Sequence, residues 1–191
     1  MVESASTTWV GLALVVGPGG IGSAVAAELK RTCPALKVLT AGRHGPPASS
    51  LQLDIENDSD LDGLSSSLHA EELPLRLVFN CSGRLHGPGL QPEKRLQQVD
   101  RSQLEQQFGI NAMAPILLAK AIEPLLQRDQ PFHFASLSAR VGSIGDNRTG
   151  GWYGYRAAKA AQNQLLRCLS IEWARRWPLA TVSLLHPGTT D

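Results

Sequence analysis

The stretch Gly17-Pro18-Gly19-Gly20-Ile21-Gly22 decides the fold, because it lies between a short apolar run and an amphipathic one. Trp9 to Val16 is rich in Val and Leu and predicts a buried strand, whereas Ser23 to about Thr32 predicts a helix. Glycines between a strand and a helix are typical of a dinucleotide-binding turn. The alternative is an ordinary turn without a ligand.

Each residue of this turn has a physical role in that interpretation. Gly17 would allow the tight turn, Gly19 the approach of the backbone to a pyrophosphate, and Gly22 the close packing of helix on strand. The free N–H groups and the dipole of the helix N-terminus favour an anion. The predicted cofactor-binding residues here are therefore Gly17, Gly19, Gly20, Ile21 and Gly22.

Arg43 indicates which dinucleotide would bind. The apolar run Leu36 to Ala41 predicts a second strand, which Gly42-Arg43-His44 ends. An NAD site usually has an acidic residue about 20 positions after the glycines, for the ribose hydroxyls. No acidic residue lies between Glu28 and Asp54. A guanidinium suits a bidentate contact with the 2′-phosphate of NADP, although Arg43 could also be a solvated loop residue.

Asp54 and Ile55 follow a third short strand, Leu51 to Leu53, and complete the predicted adenosine site. Asp54 could hydrogen-bond an adenine amine, or it could cap the helix that follows. The Pro46-Pro47 loop before this strand is too short and proline-rich for a crossover helix.

Tyr155 and Lys159 are the strongest candidates for chemistry, because residues four apart lie on one helix face. A cation about 4 Å from a phenol contributes on the order of 4 kcal/mol at an effective dielectric of about 20. This could lower the phenol pKa by up to about 3 units and prepare it as a general acid and base. The simpler alternative is a surface tyrosine that happens to precede a lysine.

Composition excludes several other classes of protein. The chain has 191 residues and a net charge of +1, without a basic stripe, so we expect no nucleic-acid partner. Its scattered cysteines and histidines have no metal-ligand spacing and fit reduced thiols inside a cell. No apolar run approaches the roughly 18 residues of a membrane span. The Trp9 run also lacks the basic flank of a signal peptide, so we expect a cytoplasmic protein.

Strand and helix patterns alternate along the chain, which predicts an α/β fold with a parallel sheet covered on both faces. The remaining predicted elements are helix Ser59–Ala70, strand Leu75–Asn80, a polar loop Cys81–Gln98, helix Ser102–Leu126 with a kink at Pro115, strand Phe132–Ser136, a glycine-rich loop Gly142–Gly151, helix Trp152–Arg176 and strand Ala180–Leu185. Ligands of such sheets bind at the carboxyl ends of strands. Polar or glycine residues follow three of these ends, at Asn80-Cys81-Ser82-Gly83, Ser136-Leu137-Ser138 and Pro187-Gly188, although each alone fits a plain turn.

Together these residues resemble the short-chain dehydrogenase/reductase family over essentially the whole chain. The resemblance rests on the glycine turn, Asp54, an Asn-Ala-Gly variant at Asn80 to Gly83, Asn111, Ser138, the Tyr155/Lys159 pair and Pro187-Gly188. Three further stretches are similar to the C-factor-like branch, namely Gly89–Lys94, Ser138–Ser143 and Asp146–Tyr153. The resemblance implies a doubly wound Rossmann fold in three αβα layers, with Asn80, Ser82, Gly83, Pro187 and Gly188 also contacting the cofactor.

The resemblance also implies catalytic roles. Tyr155 would exchange a proton with the substrate oxygen, and Lys159 would favour the phenolate and hold the nicotinamide ribose. Ser138 would hydrogen-bond the carbonyl oxygen, although Ser136 competes for this role. Asn111 would hold a water in a proton relay, or it would only satisfy backbone groups at a helix kink.

We therefore expect an NADP(H)-dependent oxidoreductase that acts on a small carbonyl or alcohol substrate. We also expect a homodimer through the two long helices, whose apolar surface includes Leu165, Leu166, Leu169 and Trp173. The alternative is a non-catalytic nucleotide-binding protein that acts in signalling or regulation through partner contacts. Three features depart from the family: a glycine turn one residue shorter, a longer Gly142–Gly151 loop, and a chain that ends at Asp191. Residues 1–191 are thus expected to form one domain that is incomplete at the C-terminus and lacks the family's final strand.

Overall fold

A computed structural model describes residues 9–45 and 49–188, and it contains one parallel sheet. Six strands lie in the order β3-β2-β1-β4-β5-β6, and every pairing is parallel. The strands are β1 Gly11–Val16, β2 Leu36–Gly42, β3 Leu51–Gln52, β4 Leu75–Asn80, β5 Phe132–Leu137 and β6 Ala180–Leu185. The order reverses between β1 and β4, so the predicted doubly wound parallel sheet is confirmed. The predicted Pro46-Pro47 loop lies outside the described residues.

Five α-helices connect these strands: α1 Gly20–Thr32, α2 Asp58–His69, α3 Arg101–Phe108, α4 Ala114–Ile122 and α5 Tyr153–Arg176. The first helix begins three residues earlier than predicted, because Gly19 is its N-cap and Gly20 already has helical backbone. Short 3₁₀ turns lie at Leu96–Gln98, Glu123–Leu125 and Arg140–Gly142.

The alternation of side chains along β1 divides the core into two layers. Leu12, Leu14 and Val16 pack in one cluster with residues of α2, α4 and α5. Ala13 and Val15 point to the other face and pack with Ala26 of α1. This two-sided burial fixes the register of β1 and holds its carboxyl end, with the glycine turn, at one edge of the sheet.

The kink predicted at Pro115 occurs earlier, as a π-helical segment at Gly109–Met113 between α3 and α4. Pro115 lies in the first turn of α4, where the missing N–H of proline is tolerated. The position of the kink was therefore predicted wrongly. The irregular segment contains Asn111, which is fully buried.

The helical run Arg101–Leu125 is long and apolar enough to span a membrane by length and composition, so the expectation that no segment approaches this limit was wrong. Within its most apolar window, 44% of the residues are buried inside the protein. A core helix of a globular protein has the same composition, and Leu118 and Ile122 of this run pack in the larger core cluster.

The apolar residues that suggested a dimer surface on α5 mostly face the core. Leu166, Leu169 and Trp173 are buried, whereas Leu165 is 37% exposed. The Trp173 ring packs edge-on against Phe134, and its Nε1 donates to Glu123 Oε2 at 2.9 Å. Three of the four residues therefore fasten the helix to its own sheet.

Candidate active site

The glycine turn brings α1 close to the carboxyl end of β1. Gly17 has a φ of +81°, and a Cβ there would lie 2.9 Å from the Ser82 backbone nitrogen. A Cβ on Gly22 would lie 2.1 Å from the Gly17 carbonyl oxygen. A side chain at either position would therefore displace the helix or the turn. Gly19 and Gly20 have open space beside them, which leaves room for a ligand at the start of α1.

A cavity of about 560 Å³ opens beside this turn and reaches the ends of β1, β2 and β4. Its volume is in the range of small-molecule and cofactor sites. Seven of the predicted cofactor-binding residues line it: Gly17, Gly19, Arg43, Asp54, Ile55, Ser82 and Gly83. The other cofactor-binding candidates lie outside its lining: Gly20, Ile21, Gly22, Asn80, Tyr155, Lys159, Pro187 and Gly188. Pro187 and Gly188 are exposed after β6.

Asp54 is a wall of this cavity and does not cap the next helix. The N-cap of α2 is Asn57, whose Oδ1 accepts from the Ser59 backbone nitrogen at 2.9 Å. Asp54 Oδ1 accepts from the Glu56 backbone nitrogen at 3.0 Å, which forms a tight turn at the end of β3. The capping interpretation of Asp54 is therefore wrong.

Lys159 and Asn111 meet at Gly83, at the inner end of the cavity. A Cβ on Gly83 would lie 3.1 Å from Asn111 Oδ1 and 3.4 Å from Lys159 Nζ. Lys159 is 3% exposed, and its Nζ lies 5.9 Å from the centroid of the Tyr155 ring. The fold thus gathers three of the four predicted catalytic side chains, which come from α5 and the π segment, beside the loop after β4.

The ammonium of Lys159 binds neutral groups in this structure. Its Nζ donates to the Leu137 carbonyl oxygen at 3.0 Å and to Gln162 Oε1 at 2.9 Å. Burial raises the pKa of Tyr155 and lowers the pKa of Lys159 to about 8. The predicted lowering of the phenol pKa is therefore wrong for this arrangement, because desolvation outweighs the attraction of a cation that lies over the ring.

Asn111 clamps the loop that follows β4. Its Oδ1 accepts from the Arg84 backbone nitrogen at 3.0 Å, and its Nδ2 donates to the Arg84 carbonyl at 2.9 Å. The second Nδ2 hydrogen is donated to Gln107 Oε1 at 2.7 Å. Asn111 thus satisfies backbone groups, as one of its two interpretations expected. These groups belong to the distant loop after β4 and not to the helix kink itself. One acceptor position of Oδ1 remains.

The two candidate serines have different surroundings. Ser136 is fully buried, and its Oγ accepts from Asn80 Nδ2 at 3.0 Å and from Gln162 Nε2 at 2.8 Å. Ser138 is half-buried, and its Oγ donates to Asn163 Oδ1 at 2.6 Å. Ser136 is therefore closed to a substrate. Ser138 can accept a hydrogen bond as it stands, and to donate one it must release Asn163.

A family profile described as "Enoyl-(Acyl carrier protein) reductase" matches residues 19–191. The chain belongs to the short-chain dehydrogenase/reductase family. Members of this family are oxidoreductases that bind a nicotinamide cofactor.

Among curated relatives of this short-chain dehydrogenase/reductase protein, the C-signal of Myxococcus xanthus is 38% identical over 93 residues, which are 49% of this chain and 55% of that protein. The short-chain dehydrogenase srdF of Neurospora crassa is 30% identical over 160 residues, which are 81% of this chain and 61% of that protein. The matches thus span little more than half of these relatives. Among solved structures, the carbonyl reductase Sniffer of D. melanogaster has a TM-score of 0.80 and 25% identity, over 94% of this chain and 81% of its own.

Two buried polar residues near the short-chain dehydrogenase/reductase site were missed by the sequence analysis. Gln162 is fully buried and Glu93 is 3% exposed. Gln162 lies three residues after Lys159 and four before Leu166, so helical spacing already placed it on the inner face of α5. Nothing local distinguishes Glu93, which lies 61 residues before its partner Gly154.

Proposed function

We propose that this protein is an NADP(H)-dependent oxidoreductase that transfers a hydride between nicotinamide and a small carbonyl or alcohol substrate. The observation that carries the proposal is the meeting of Lys159 Nζ and Asn111 Oδ1 at Gly83, with the Tyr155 ring alongside. A buried ammonium, an amide and a phenol at the carboxyl edge of a parallel sheet suit proton transfer next to a bound nucleotide. Its three cysteines are free, which supports a cytoplasmic location.

The described residues fit the cofactor at both ends. The open space beside Gly19 and Gly20 and the free N–H groups of α1 suit a pyrophosphate. Arg43 is exposed where it lines the cavity and is available to a 2′-phosphate, and Asp54 is available to an adenine amine. At the inner end, Lys159 beside Gly83 would contact the nicotinamide ribose.

In the reducing direction, the substrate carbonyl becomes an alcohol. NADPH, when bound, would supply the hydride to the carbonyl carbon, and the C=O π pair would move onto oxygen. Tyr155 gives its hydroxyl proton to that oxygen, and Ser138 donates a hydrogen bond as negative charge develops there. Lys159 stabilises the phenolate that remains, and a water held on the free acceptor position of Asn111 Oδ1 returns a proton.

An assay of NADPH oxidation against a panel of aldehydes and ketones tests the proposal. Tyr155→Phe should lower turnover by roughly 10²–10⁴-fold with little effect on NADPH affinity, since it removes only the general acid. Tyr153→Phe is the matched control, because Tyr153 lies on the same helix and is 42% exposed. The proposal is rejected if the wild type binds NADPH but converts no carbonyl, and Tyr155→Phe changes nothing measurable.

A non-catalytic signalling role is the second candidate, and the similarity to a relative named C-signal favours it. The two functions differ in one measurement. A signalling protein would bind nucleotide without converting any carbonyl, whereas the enzyme would convert one and lose that turnover in Tyr155→Phe.

A further inference from the structure

Gln162 occupies the centre of the α5 face that packs on β5. It is fully buried, and it makes three hydrogen bonds with described residues. Its Oε1 accepts from Lys159 Nζ at 2.9 Å, and its Nε2 donates to Ser136 Oγ at 2.8 Å and to the Leu137 carbonyl at 3.2 Å. A buried amide with every group satisfied is held rigidly, because moving it would strand polar atoms away from water.

The surroundings of Gln162 fix which way its amide points. If the amide were flipped, its NH₂ would face the Lys159 ammonium and its oxygen would face the Leu137 carbonyl, so both contacts would become repulsive. Ser136 also accepts from Asn80 Nδ2 at 3.0 Å, and Asn80 Oδ1 accepts from the Ser82 backbone nitrogen at 3.1 Å. A continuous chain of hydrogen bonds thus runs from the cavity wall to Lys159.

We propose that Gln162 is a positioning residue that holds the Lys159 ammonium in its charged form and directs it toward Gly83. The inference rests on the proposed function where it assigns Lys159 to the cofactor and Tyr155. An ammonium has three N–H donors. Among the described residues, the Leu137 carbonyl and Gln162 Oε1 accept from two of them, which leaves the third for a ligand on the side of Gly83 and Asn111.

The amide matters because other charges near Lys159 are few. Tyr155 is the titratable side chain that faces it from α5, while β5 and the π segment present the Leu137 carbonyl and Asn111, which carry no charge. Arg84, in the loop after β4, lines the cavity, and Glu93 of that loop accepts from the backbone N–H of Gly154 at the start of α5. The turn Arg140–Gly142 contributes Arg140, whose guanidinium lies 3.9 Å from Asp146. No carboxylate of the described residues forms an ion pair with Lys159, so its direct acceptors, the Leu137 carbonyl and Gln162 Oε1, are neutral.

Two substitutions of Gln162 move the charge on Lys159 in opposite directions. Gln162→Leu fills the same space with an apolar side chain but removes the acceptor of Lys159 Nζ. The ammonium form is then less favoured, so the pKa of Lys159 falls. Gln162→Glu keeps the shape and supplies a carboxylate to Lys159, so the pKa rises, although its second oxygen then faces the Leu137 carbonyl in place of Nε2. Gln164→Leu makes the same change two residues away at an exposed position and serves as the control.

Lysine NMR tests this directly in the protein without nucleotide or substrate. The chain has five lysines, so ¹³Cε resonances can be resolved, and Lys159→Arg assigns the one of interest. The wild type should titrate with a pKa of about 8. Gln162→Leu should titrate about one pH unit lower, Gln162→Glu at least about one unit higher, and Gln164→Leu with the wild type. If Gln162→Leu does not fold, the upward shift in Gln162→Glu decides the matter. An unchanged Lys159 titration in the folded Gln162 variants overturns the inference.

Turnover provides a second readout and separates the two proposals. If carbonyl reduction is found, the apparent pKa of the alkaline limb in the pH profile of kcat/KM should fall in Gln162→Leu and rise in Gln162→Glu. A merely structural role would lower kcat/KM without moving that pKa. A limb that stays fixed while Lys159 titrates differently would refute the link to Lys159 in catalysis. If no carbonyl is reduced, the proposed function fails, and the NMR titration still decides whether Gln162 sets the charge of Lys159.

Discussion

The carboxylate of Glu93 accepts hydrogen bonds from the backbone N–H of Gly154, at 3.2 Å and 3.3 Å for its two oxygens. Trp152, the N-cap residue of α5, has left-handed backbone with a φ of +51°, and its side chain makes no capping hydrogen bond. Its N–H donates to the carbonyl of the same Glu93. A residue of the loop after β4 therefore caps the helix that carries Tyr155 and Lys159, and its negative charge complements the helix dipole.

Removing this cap should destabilise the protein. Glu93→Ala should lower the free energy of unfolding by about 1–3 kcal/mol, because a buried N–H loses its partner, and Glu93→Gln should cost less. Urea unfolding measures the change, with the exposed Glu105→Ala as the control. Equal effects of Glu93→Ala and Glu105→Ala would show that the cap contributes nothing.

Arg43 should decide between the two nicotinamide dinucleotides. We expect NADPH to bind at least about tenfold more tightly than NADH, which corresponds to ~1.4 kcal/mol. Arg43→Ala should abolish the preference by weakening NADPH alone, since NADH has no phosphate at that position. Fluorescence titration with both cofactors measures this, and Arg148→Ala, exposed and outside the cavity lining, is the control. Equal affinities in the wild type would remove the phosphate role.

Lys159 should make stability depend on alkaline pH. Burial lowers its folded-state pKa from 10.5 to about 8, so the unfolded chain binds more protons between these values. Stability therefore rises with pH in this window, by up to ~1.4 kcal/mol per pH unit from this group, as the buried charge is lost. Denaturant unfolding of wild type and Lys159→Met at pH 7 and pH 9.5 isolates the contribution. The wild type should gain relative to the variant, and a pH-independent difference would contradict the assignment.

Ser138 and Ser136 should behave differently when their hydroxyls are removed. Ser138→Ala should lower kcat roughly 10²-fold with little change in cofactor affinity, since its hydrogen bond matters most as charge builds on the substrate oxygen. Ser136→Ala should instead lower the free energy of unfolding by about 1–3 kcal/mol, because Asn80 and Gln162 lose a buried acceptor. Steady-state kinetics and thermal unfolding of both variants distinguish these roles. Wild-type kcat in Ser138→Ala would exclude it from the reaction.

We also predict a homodimer that pairs through the long helices, as is typical of the family. Of the four apolar α5 residues predicted to form this surface, Leu165 is the exposed one, at 37%. Leu165→Arg should therefore shift the mass seen by light scattering at micromolar concentration toward the monomer. Leu179→Arg is the control, because Leu179 is 48% exposed just before β6. A monomeric wild type would contradict the prediction.

The sequence predicted the elements of this fold well, because each depends on local pattern. The buried β1, the glycine turn and the amphipathic α1 follow from periodicity and backbone sterics over a few residues. Contacts between distant residues could not be predicted in this way. The π segment coincides with the clamp between Asn111 and Arg84, which are 27 residues apart, and the cap of α5 comes from 61 residues away.

The same limit explains the error over Tyr155. Spacing placed the phenol and the ammonium on one helix face, but it could not show that a carbonyl and a buried amide already take two of the three lysine donors. The pKa of each group then follows from burial, which depends on the whole packed site.

The π segment makes the chain length between α3 and α4 a part of the site. A π turn takes up one residue more than an α turn, so deleting one residue from Gly109–Met113 would leave a continuous α-helix with α3 and α4 close to their present positions. The side chains within the segment would be redistributed around that helix, and Asn111 would lose the Arg84 backbone. In a comparison of relatives, a one-residue gap at this point therefore signifies an altered active site, although the same gap in an exposed loop would be silent.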